Sequence, residues 1–174
     1  MKKRRFFALF LVLGLLVSLL SVPASAFEEI DVDARAALLV EKETGEILYE
    51  KNAHEKNYPA SITKLTVALL VFEAIDAGQL SLDQPITAHE SAFEGLSIYG
   101  STAGIKVGEV LTVEQLLQCM LIVSANEACN ILAEAVCGEG NISQFVQRMN
   151  ERAAALGCEN THYVNTSGLH DPDH

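Results

Sequence analysis

The segment between Pro59 and Gly78 is the strongest constraint on how this chain can fold. Its apolar residues occur on every side of a helical pattern, and they are Ile62, Leu65, Val67, Ala68, Leu69, Leu70, Val71, Phe72, Ala74 and Ile75. Proline is tolerated just at the start of a helix, and glycine commonly follows a helix end. The segment therefore predicts a central helix that is buried all round inside a domain.

Ser61 and Lys64 lie at the start of this predicted helix, three residues apart. Residues at that spacing share one face of a helix, so the hydroxyl and the amine are neighbours. Burial and the positive end of the helix dipole both favour the neutral form of a lysine in this place. A neutral lysine can take a proton from a serine, so the pair is a candidate nucleophile and base. Taken alone, the same spacing also fits a helix cap beside a surface charge.

The first 26 residues have the organisation of a secretory signal peptide. Basic residues occupy positions 2–5, an apolar run extends from Phe6 to Leu20, and residues 23–26 (Pro-Ala-Ser-Ala) end in a small-residue cleavage signal. The apolar run of about fifteen residues is shorter than the ~20 that a membrane-spanning helix needs. We therefore expect export and cleavage after Ala26.

The mature part, residues 27–174, is strongly acidic. The whole chain has a net charge of −11, and removing residues 1–26 takes away four basic and no acidic side chains, which leaves −15. Such a charge repels phosphate backbones, so we expect no nucleic-acid partner. The sequence also shows no basic amphipathic helix of the kind that binds anionic lipid. The length is sufficient for the core of one domain.

The four cysteines, Cys119, Cys129, Cys137 and Cys158, include no Cys-x-x-Cys pair, which argues against a zinc or thioredoxin-like site. Cys129 and Cys137 are eight residues apart on one predicted helix, about 12 Å along its axis, and are too far apart to pair. Other pairings remain open after export. The ending from His170 to His174 has zinc-ligand types without helical spacing, so we expect no metal and no cofactor.

The sequence after the signal peptide predicts a mixture of strands and helices. Residues 34–50 predict a β-hairpin that turns at Gly45, and residues 81–108 predict mostly loop. Helices are predicted from Thr112 (with Gln115 as a capping box) to about Val123, from about Glu127 to Cys137, and from Asn141 (with Gln144) to Leu156. A short strand is predicted at residues 161–164.

Ser124 and Asn126 lie on the turn between the second and third predicted helices. Ser124 and Glu127 have the form of a capping box, so the local sequence predicts a purely structural serine. Asn126 has no such local role. A serine and an asparagine two residues apart on a tight turn between helices can both direct polar groups into a cleft.

Together, Ser61-x-x-Lys64 and Ser124-x-Asn126 resemble the signature of the active-site serine penicillin-binding proteins and serine β-lactamases, which continues with Lys-Thr-Gly. Further stretches resemble the low-molecular-mass D-alanyl-D-alanine carboxypeptidases in particular, namely residues 34–70, 99–108, 111–117, 124–128 and 165–171. The resemblance covers nearly the whole mature chain. It implies an α+β fold of the penicillin-binding protein and serine β-lactamase type, with a helical cluster packed on an antiparallel sheet.

The resemblance also implies roles for the candidate residues. Ser61 would be the acylated nucleophile, Lys64 the base that activates it, and Ser124 a relay of the proton to the leaving amine. Asn126 would hold the amide of the substrate. The implied substrate is a peptidoglycan pentapeptide that loses its terminal D-alanine, and the implied inhibitors are β-lactams.

One part of the signature is missing from this sequence. No Lys-Thr-Gly or Lys-Ser-Gly follows Asn126, and in the family that triplet lies on a later strand that also supplies the second oxyanion donor. We therefore expect residues 27–174 to be the N-terminal portion of the catalytic domain, truncated before the later sheet strands and inactive as it stands. Membrane association is expected only through a later C-terminal segment.

Three other functions fit parts of the pattern. A β-lactamase shares the Ser-x-x-Lys motif, but its usual middle motif is Ser-Asp-Asn, and residues 165–171 lack the glutamate of the class A enzymes. A Ser-His-Asp hydrolase would need a Gly-x-Ser-x-Gly turn around Ser61, which is absent. A truncated protein that only binds cell-wall fragments remains an open alternative.

We expect the exported protein to begin at Phe27, because Ala24 and Ala26 present the small side chains that signal peptidase requires. Intact mass and N-terminal sequencing of the protein secreted by a bacterial host measure this. Replacing both alanines by lysine should leave residues 1–26 attached. Secreted protein that still starts at Met1 in the unaltered chain would contradict the expectation.

Overall fold

The computed structural model describes residues 31–174, so the predicted signal peptide lies outside the described residues. The chain divides into two compact units, the first ending at Glu55 and the second running from Lys56 to His174. The described part of the first unit is a β-hairpin. The second unit is a cluster of helices with a small sheet.

The hairpin of the first unit consists of β1 (Ala37–Val40) and β2 (Ile47–Lys51), which pair antiparallel. Gly45 has φ +73°, and its N–H donates to the carbonyl of Glu41 at 2.9 Å. A residue without Cβ is favoured in that conformation, so the predicted hairpin with its turn at Gly45 is confirmed. Apolar side chains of both strands are exposed, and they are Leu38, Leu39, Val40, Ile47 and Leu48.

The second unit contains, within the described residues, four α-helices and one two-stranded sheet. A 3-10 turn (Ala60–Ile62) leads directly into α1 (Thr63–Asp76). The other helices are α2 (Val113–Ile122), α3 (Asn126–Cys137) and α4 (Ile142–Ala155). Strands β3 (Pro85–Thr87) and β4 (Val110–Thr112) pair antiparallel, and a second 3-10 turn spans Glu90–Phe93.

The predicted helices are all present, and one of their three predicted caps forms as expected. Thr112 and Gln115 make a complete capping box at the start of α2, because each side chain accepts from the backbone N–H of the other residue. Asn141 lies at the predicted N-cap position of α4 but makes no capping bond. Its amide donates instead to the carbonyls of Cys137 and Glu139, which tie the end of α3 to the following turn.

The predicted strand at residues 161–164 is wrong. The side chain of Asn150 on α4 accepts from the N–H of Tyr163 at 2.7 Å and donates to its carbonyl at 2.8 Å. A neighbouring strand would normally pair these two backbone groups. Asn150 therefore replaces a strand partner and holds this segment against α4.

The core of the second unit is built around α3. Ten of its twelve residues are buried, and it packs against α1, α2 and α4. The largest fully buried side chains around it are Phe145, Leu116, Met120, Ile131, Leu132 and Met149. The first residues of α3 are therefore held in place from several sides.

The prediction that the first helix is buried all round is wrong for the described residues. One face of α1 buries Val67 and Val71, whereas Leu65 is 62% exposed and Phe72 is 45% exposed on the other face. Apolar side chains on both faces indicate that both are suited to burial, but composition does not specify whether another element covers each face. The predicted burial of the lysine end of this helix is confirmed, because Lys64 is only 3% exposed.

Among residues 31–174, no helix combines the length and the apolar character needed to cross a membrane. The four cysteine thiols are free, with Cys129 buried and Cys158 exposed.

Replacing Phe145 by Ala should lower the free energy of unfolding by about 3–5 kcal/mol, because the ring is fully buried and leaves a cavity. The same change at Phe72, which is 45% exposed, should lower it by about 1 kcal/mol. Urea unfolding followed by circular dichroism measures both values. Equal losses at the two positions would contradict this description of the core.

Candidate active site

The 3-10 turn and the first turn of α1 bring Ser61 next to Lys64. Ser61 is exposed, and its Oγ lies 3.1 Å from the buried Nζ of Lys64. Ala60, the residue before the serine, has φ +48°, which costs a residue with a Cβ about 1–2 kcal/mol. Tertiary contacts must offset this strain, so the surrounding structure fixes the orientation of Ser61 at the start of the helix.

The amine of Lys64 has three hydrogen-bond partners. Besides Ser61 Oγ, the partners are Asn126 Oδ1 and the backbone carbonyl of Ser167, each at 2.9 Å. Both of these oxygens can only accept, so in the neutral amine they take its two N–H groups. The lone pair of the nitrogen then points at the Ser61 hydroxyl. This is the arrangement that a base needs in order to take the serine proton.

The environment of Lys64 favours that neutral form. Burial lowers the pKa of Lys64, and an ionised Cys129 or Glu127 would oppose the shift. Burial also raises the pKa of the Cys129 thiol to about 12, so this thiol is uncharged at neutral pH. Glu127 is therefore the only one of the two that opposes the effect of burial on Lys64.

Ser124 does not cap a helix, so the capping box predicted for it is wrong. Ala125 is the N-cap residue of α3 and no side chain caps there, while Ser124 has φ +61° on the turn between α2 and α3. Its Oγ donates to Ser61 Oγ at 3.1 Å. Ser61 Oγ thus lies between a nitrogen that can take its proton and a second hydroxyl.

Asn126 begins α3 and is buried, with its carbonyl oxygen on Lys64. Its backbone N–H donates to the carbonyl of Ser101 at 2.9 Å, which brings the 100–104 segment alongside the site. A Cβ placed on Gly100 would lie 2.5 Å from Asn126 Nδ2, so this position has no room for a side chain. The four residues predicted from the sequence therefore lie together, and their catalytic roles stay predictions.

The capping role that the local sequence predicts for Glu127 is wrong. Instead of completing a capping box with Ser124, its Oε1 accepts from Thr102 Oγ1 (2.6 Å), Ala103 N–H (2.8 Å) and Gly104 N–H (3.1 Å). These bonds hold the loop that leads past Asn126. The buried carboxylate of Glu127 therefore stabilises the loop on one side of the site.

Sequence reasoning about single residues missed the carbonyl of Ser167. Asn165 Oδ1 accepts from the N–H groups of Ser167 (3.1 Å) and Gly168 (2.7 Å), and Asn165 Nδ2 donates to the carbonyl of Leu169 at 2.9 Å. These bonds fold residues 165–169 into a tight loop that presents the carbonyl to Lys64. Every residue carries a backbone carbonyl, so residue types do not show which carbonyl belongs to a site. Only Asn165 and Gly168, which favour turns, indicate a loop here.

The 165–169 loop is also tied to α3. Thr166 Oγ1 donates to Asn130 Oδ1 at 2.6 Å, and Asn130 Nδ2 donates to the carbonyl of Ala92 at 2.9 Å. Thr166 and Asn130 are both buried. Helix α3 therefore supports both acceptors of Lys64. It carries Asn126, and it holds the loop that contains the Ser167 carbonyl.

Residues 23–174 match the D-alanyl-D-alanine carboxypeptidase family. The chain belongs to this family. It is 35% identical over 166 residues to the D-alanyl-D-alanine carboxypeptidase DacF of Bacillus subtilis, an alignment that covers 91% of this chain and 41% of DacF. This chain therefore spans well under half the length of that carboxypeptidase.

Solved structures agree with the family assignment. The carboxypeptidase DacD of Francisella tularensis superposes with a TM-score of 0.75 at 36% identity, covering 82% of this chain and 33% of DacD. Penicillin-binding protein D2 of Listeria monocytogenes, solved in an ampicillin-bound form, superposes with a TM-score of 0.68 at 31% identity over 83% of this chain and 56% of that protein. The predicted α+β fold of the penicillin-binding protein type is confirmed.

No group of three or more metal-ligating side chains lies close enough to hold an ion within the described part of this carboxypeptidase homologue. The two histidines near the end of the chain have different partners. The ring of His170 meets Tyr58 edge to face at 4.7 Å, and Nε2 of His174 lies 2.8 Å from Thr63 Oγ1.

Gly168→Ala should destabilise the protein much more than Gly140→Ala, although both glycines have similar positive φ values, +80° and +74°. A Cβ at Gly168 would lie 1.7 Å from the carbonyl oxygen of Ala60, whereas a Cβ at Gly140 meets nothing within 4 Å. We expect a loss of about 1 kcal/mol at Gly140 from backbone strain alone and at least about 3 kcal/mol at Gly168.

Thermal unfolding of the two variants measures this difference. Because backbone strain is common to both, the excess loss at Gly168 reports the contact between the 165–169 loop and the turn before Ser61. Equal losses would contradict that contact.

Proposed function

We propose that this chain is part of a serine D-alanyl-D-alanine carboxypeptidase in which Ser61 attacks the peptide bond before the terminal D-alanine. The observation that carries the proposal is the partner set of Lys64, which directs the free electron pair of a neutral amine at Ser61 Oγ. The lowered pKa of this buried lysine supports the same role. Family membership supports the choice of reaction.

In the acylation step, Ser61 Oγ bonds to the carbonyl carbon of the penultimate D-alanine while its proton passes to Lys64 Nζ. The carbon–nitrogen bond of the tetrahedral intermediate then breaks. Ser124 delivers a proton to the leaving nitrogen and regains one from the protonated lysine. Ser124 Oγ and Lys64 Nζ each lie 3.1 Å from Ser61 Oγ, and this position of both groups beside the reacting atom supports the relay. Free D-alanine leaves, and water later hydrolyses the ester and restores the Ser61 hydroxyl.

The developing oxyanion needs hydrogen-bond donors. Ser61 lies in the 3-10 turn that starts the helix, where the first N–H groups have no acceptor within the helix. Its own N–H and the positive end of α1 can therefore stabilise negative charge at the attacked carbonyl. Asn126, whose Oδ1 is on Lys64, retains its Nδ2 group for the amide of the substrate.

The proposed function includes a substrate, a class of inhibitors and a location in the cell. The substrate is a peptidoglycan stem pentapeptide, and β-lactams acylate Ser61 as structural analogues of the D-alanyl-D-alanine end. The ampicillin-bound form of the Listeria protein supports the inhibitor class. The protein acts outside the cytoplasm after export through residues 1–26, and it requires no nucleic acid.

We further propose that residues 27–174 are the N-terminal portion of the catalytic domain. The alignment over 41% of DacF supports this extent. A second oxyanion donor is then supplied by a part of the domain beyond these residues, and loss of one such donor typically slows acyl transfer at least about a hundredfold. The 174-residue chain should accordingly acylate slowly or not at all.

Incubation with penicillin followed by intact-mass measurement and peptide mapping tests the proposed function. The whole gene product should gain one covalent penicillin on Ser61, and the adduct should persist because deacylation is slow. Ser61→Ala should abolish the adduct, whereas Ser143→Ala, a change at an exposed serine at the start of α4, should leave it intact.

The alternatives give different results in the same measurement. An adduct that survives in Ser61→Ala would overturn the assigned nucleophile. Rapid release of hydrolysed penicillin would indicate a β-lactamase, and binding of cell-wall peptide without any adduct would indicate a binding protein. Rapid acylation of the 174-residue chain would overturn the proposed extent of the domain.

A further inference from the structure

The first turn of α1 is held by three contacts from the last segment of the second unit, residues 163–174. These contacts join Lys64 Nζ to the Ser167 carbonyl (2.9 Å), Thr66 Oγ1 to Tyr163 OH (2.9 Å) and Thr63 Oγ1 to His174 Nε2 (2.8 Å). The proposed mechanism uses only the first of them. The contact to Thr63 is the closest of the other two to Ser61, since Thr63 lies between the serine and the lysine in sequence.

The hydrogen bonds of His174 determine where its proton lies. The backbone N–H of Val164 donates to Nδ1 at 3.2 Å, so Nδ1 must carry a lone pair. The neutral ring therefore has its proton on Nε2, which donates to Thr63 Oγ1. Tyr163 packs edge to face on the imidazole at 5.6 Å, and His174 is only 9% exposed. The ring thus has a defined orientation and a defined tautomer.

Thr63 transmits this orientation to the candidate catalytic pair. The residue is 1% exposed and is the first residue of α1, with Ser61 two residues before it and Lys64 directly after it. A displacement of Thr63 therefore moves the serine hydroxyl relative to the lysine amine. Rates of acyl transfer depend strongly on such distances, and a misplacement of about 1 Å can slow a reaction about a hundredfold.

We propose that His174 is a positioning residue that fixes the Ser61–Lys64 turn through its hydrogen bond to Thr63 Oγ1. This inference rests on the proposed acyl transfer at Ser61. His174 does not contact Ser61 or Lys64 through any described hydrogen bond, so it acts through Thr63 and takes no part in the chemical step.

The same geometry makes the positioning dependent on pH. Protonation would place a second N–H on Nδ1, facing the N–H of Val164, and would break that hydrogen bond. The charged and titratable groups around the ring and its adjoining cavity are Asp171, His162, Tyr163 and Asp173 from its own segment and Lys56 and Tyr58 from the residues before α1. Lys64 is adjacent to the Thr63 partner along α1.

The balance of these groups favours the neutral ring. Burial lowers the pKa of His174, Asp171 opposes this shift, and His162 adds to it. A folded-state pKa below the unfolded value of about 6.5 means that the unfolded chain binds more protons in this range. The stabilisation is therefore complete above about pH 6.5 and is lost as the pH falls through the folded-state pKa.

Two substitutions of the same histidine separate positioning from general stability. His174→Gln can place an amide N–H near the position of Nε2 and keep the donor to Thr63. His174→Asn can place an oxygen near the position of Nδ1 and keep the acceptor for Val164, but it does not reach Thr63. Both variants lose the imidazole ring and its contact with Tyr163, so each serves as the control for the other.

The test measures the second-order rate of penicillin acylation in the form of the protein that gives the Ser61 adduct. We expect His174→Gln to be within about threefold of the unaltered protein and His174→Asn to be slower by about tenfold or more. The unaltered protein should lose rate as His174 protonates below about pH 6.5, and His174→Gln should lack that step. His162→Gln, a change at an exposed neighbour, should keep it.

A double-mutant cycle identifies Thr63 as the intermediary. In a Thr63→Val background, where the acceptor is absent, His174→Asn should cause no further loss of rate. Equal rates in the Gln and Asn variants, rates that follow only the melting temperature, or additive losses in the cycle would each overturn the proposal.

Nuclear magnetic resonance of the whole gene product, in which His174 carries no terminal carboxylate next to its ring, gives a readout that does not depend on activity. The ring of His174 should be neutral at pH 7, with the proton on Nε2. A proton on Nδ1 or a charged ring at that pH would overturn the inference. A missing Ser61 adduct together with the expected tautomer would instead count against the proposed function alone.

Discussion

The burial of the Lys64 amine, with three oxygen partners and no carboxylate among them, is the interaction on which the site depends. An unpaired ammonium in such a place costs several kcal/mol, so a buried lysine must find acceptors or lose its proton. The acceptors here allow both states, since the third partner is a hydroxyl that can accept or donate. Glu127, the nearby carboxylate, is bound to the 102–104 loop instead. The lysine is thus not locked in its charged form and can exchange a proton with Ser61.

Three separate parts of the second unit must meet for this to happen. Ser61 comes from the turn before α1, Asn126 from the start of α3, and the Ser167 carbonyl from the 165–169 loop. The buried helix α3 is the common support, because it carries Asn126 directly and holds the loop through the bond between Asn130 and Thr166. The packing of the core around α3 therefore sets the precision of the site.

Local sequence preferences and tertiary contacts disagree at the residues nearest the site. Ser124 and Glu127 have capping-box form, yet Ser124 bonds to Ser61 and Glu127 to the 102–104 loop. A capping bond contributes about 1 kcal/mol, and other partners in a buried site can offset its loss. The positive φ values at Ala60 and Ser124 show the same competition, because both lie at turns that carry site residues. At Thr112, away from the site, the predicted capping box forms unchanged.

The sequence by itself determined the helices, the hairpin turn at Gly45, the four candidate site residues and the family, because these depend on apolar periodicity, turn chemistry and motif spacing along the chain. Only the tertiary structure decided that the Ser167 carbonyl completes the lysine site, that Asn150 replaces a strand partner at Tyr163, and that His174 meets Thr63. Those contacts join residues 13 to 111 positions apart. Several involve backbone atoms, which every residue carries, so no pattern of residue types could have identified them.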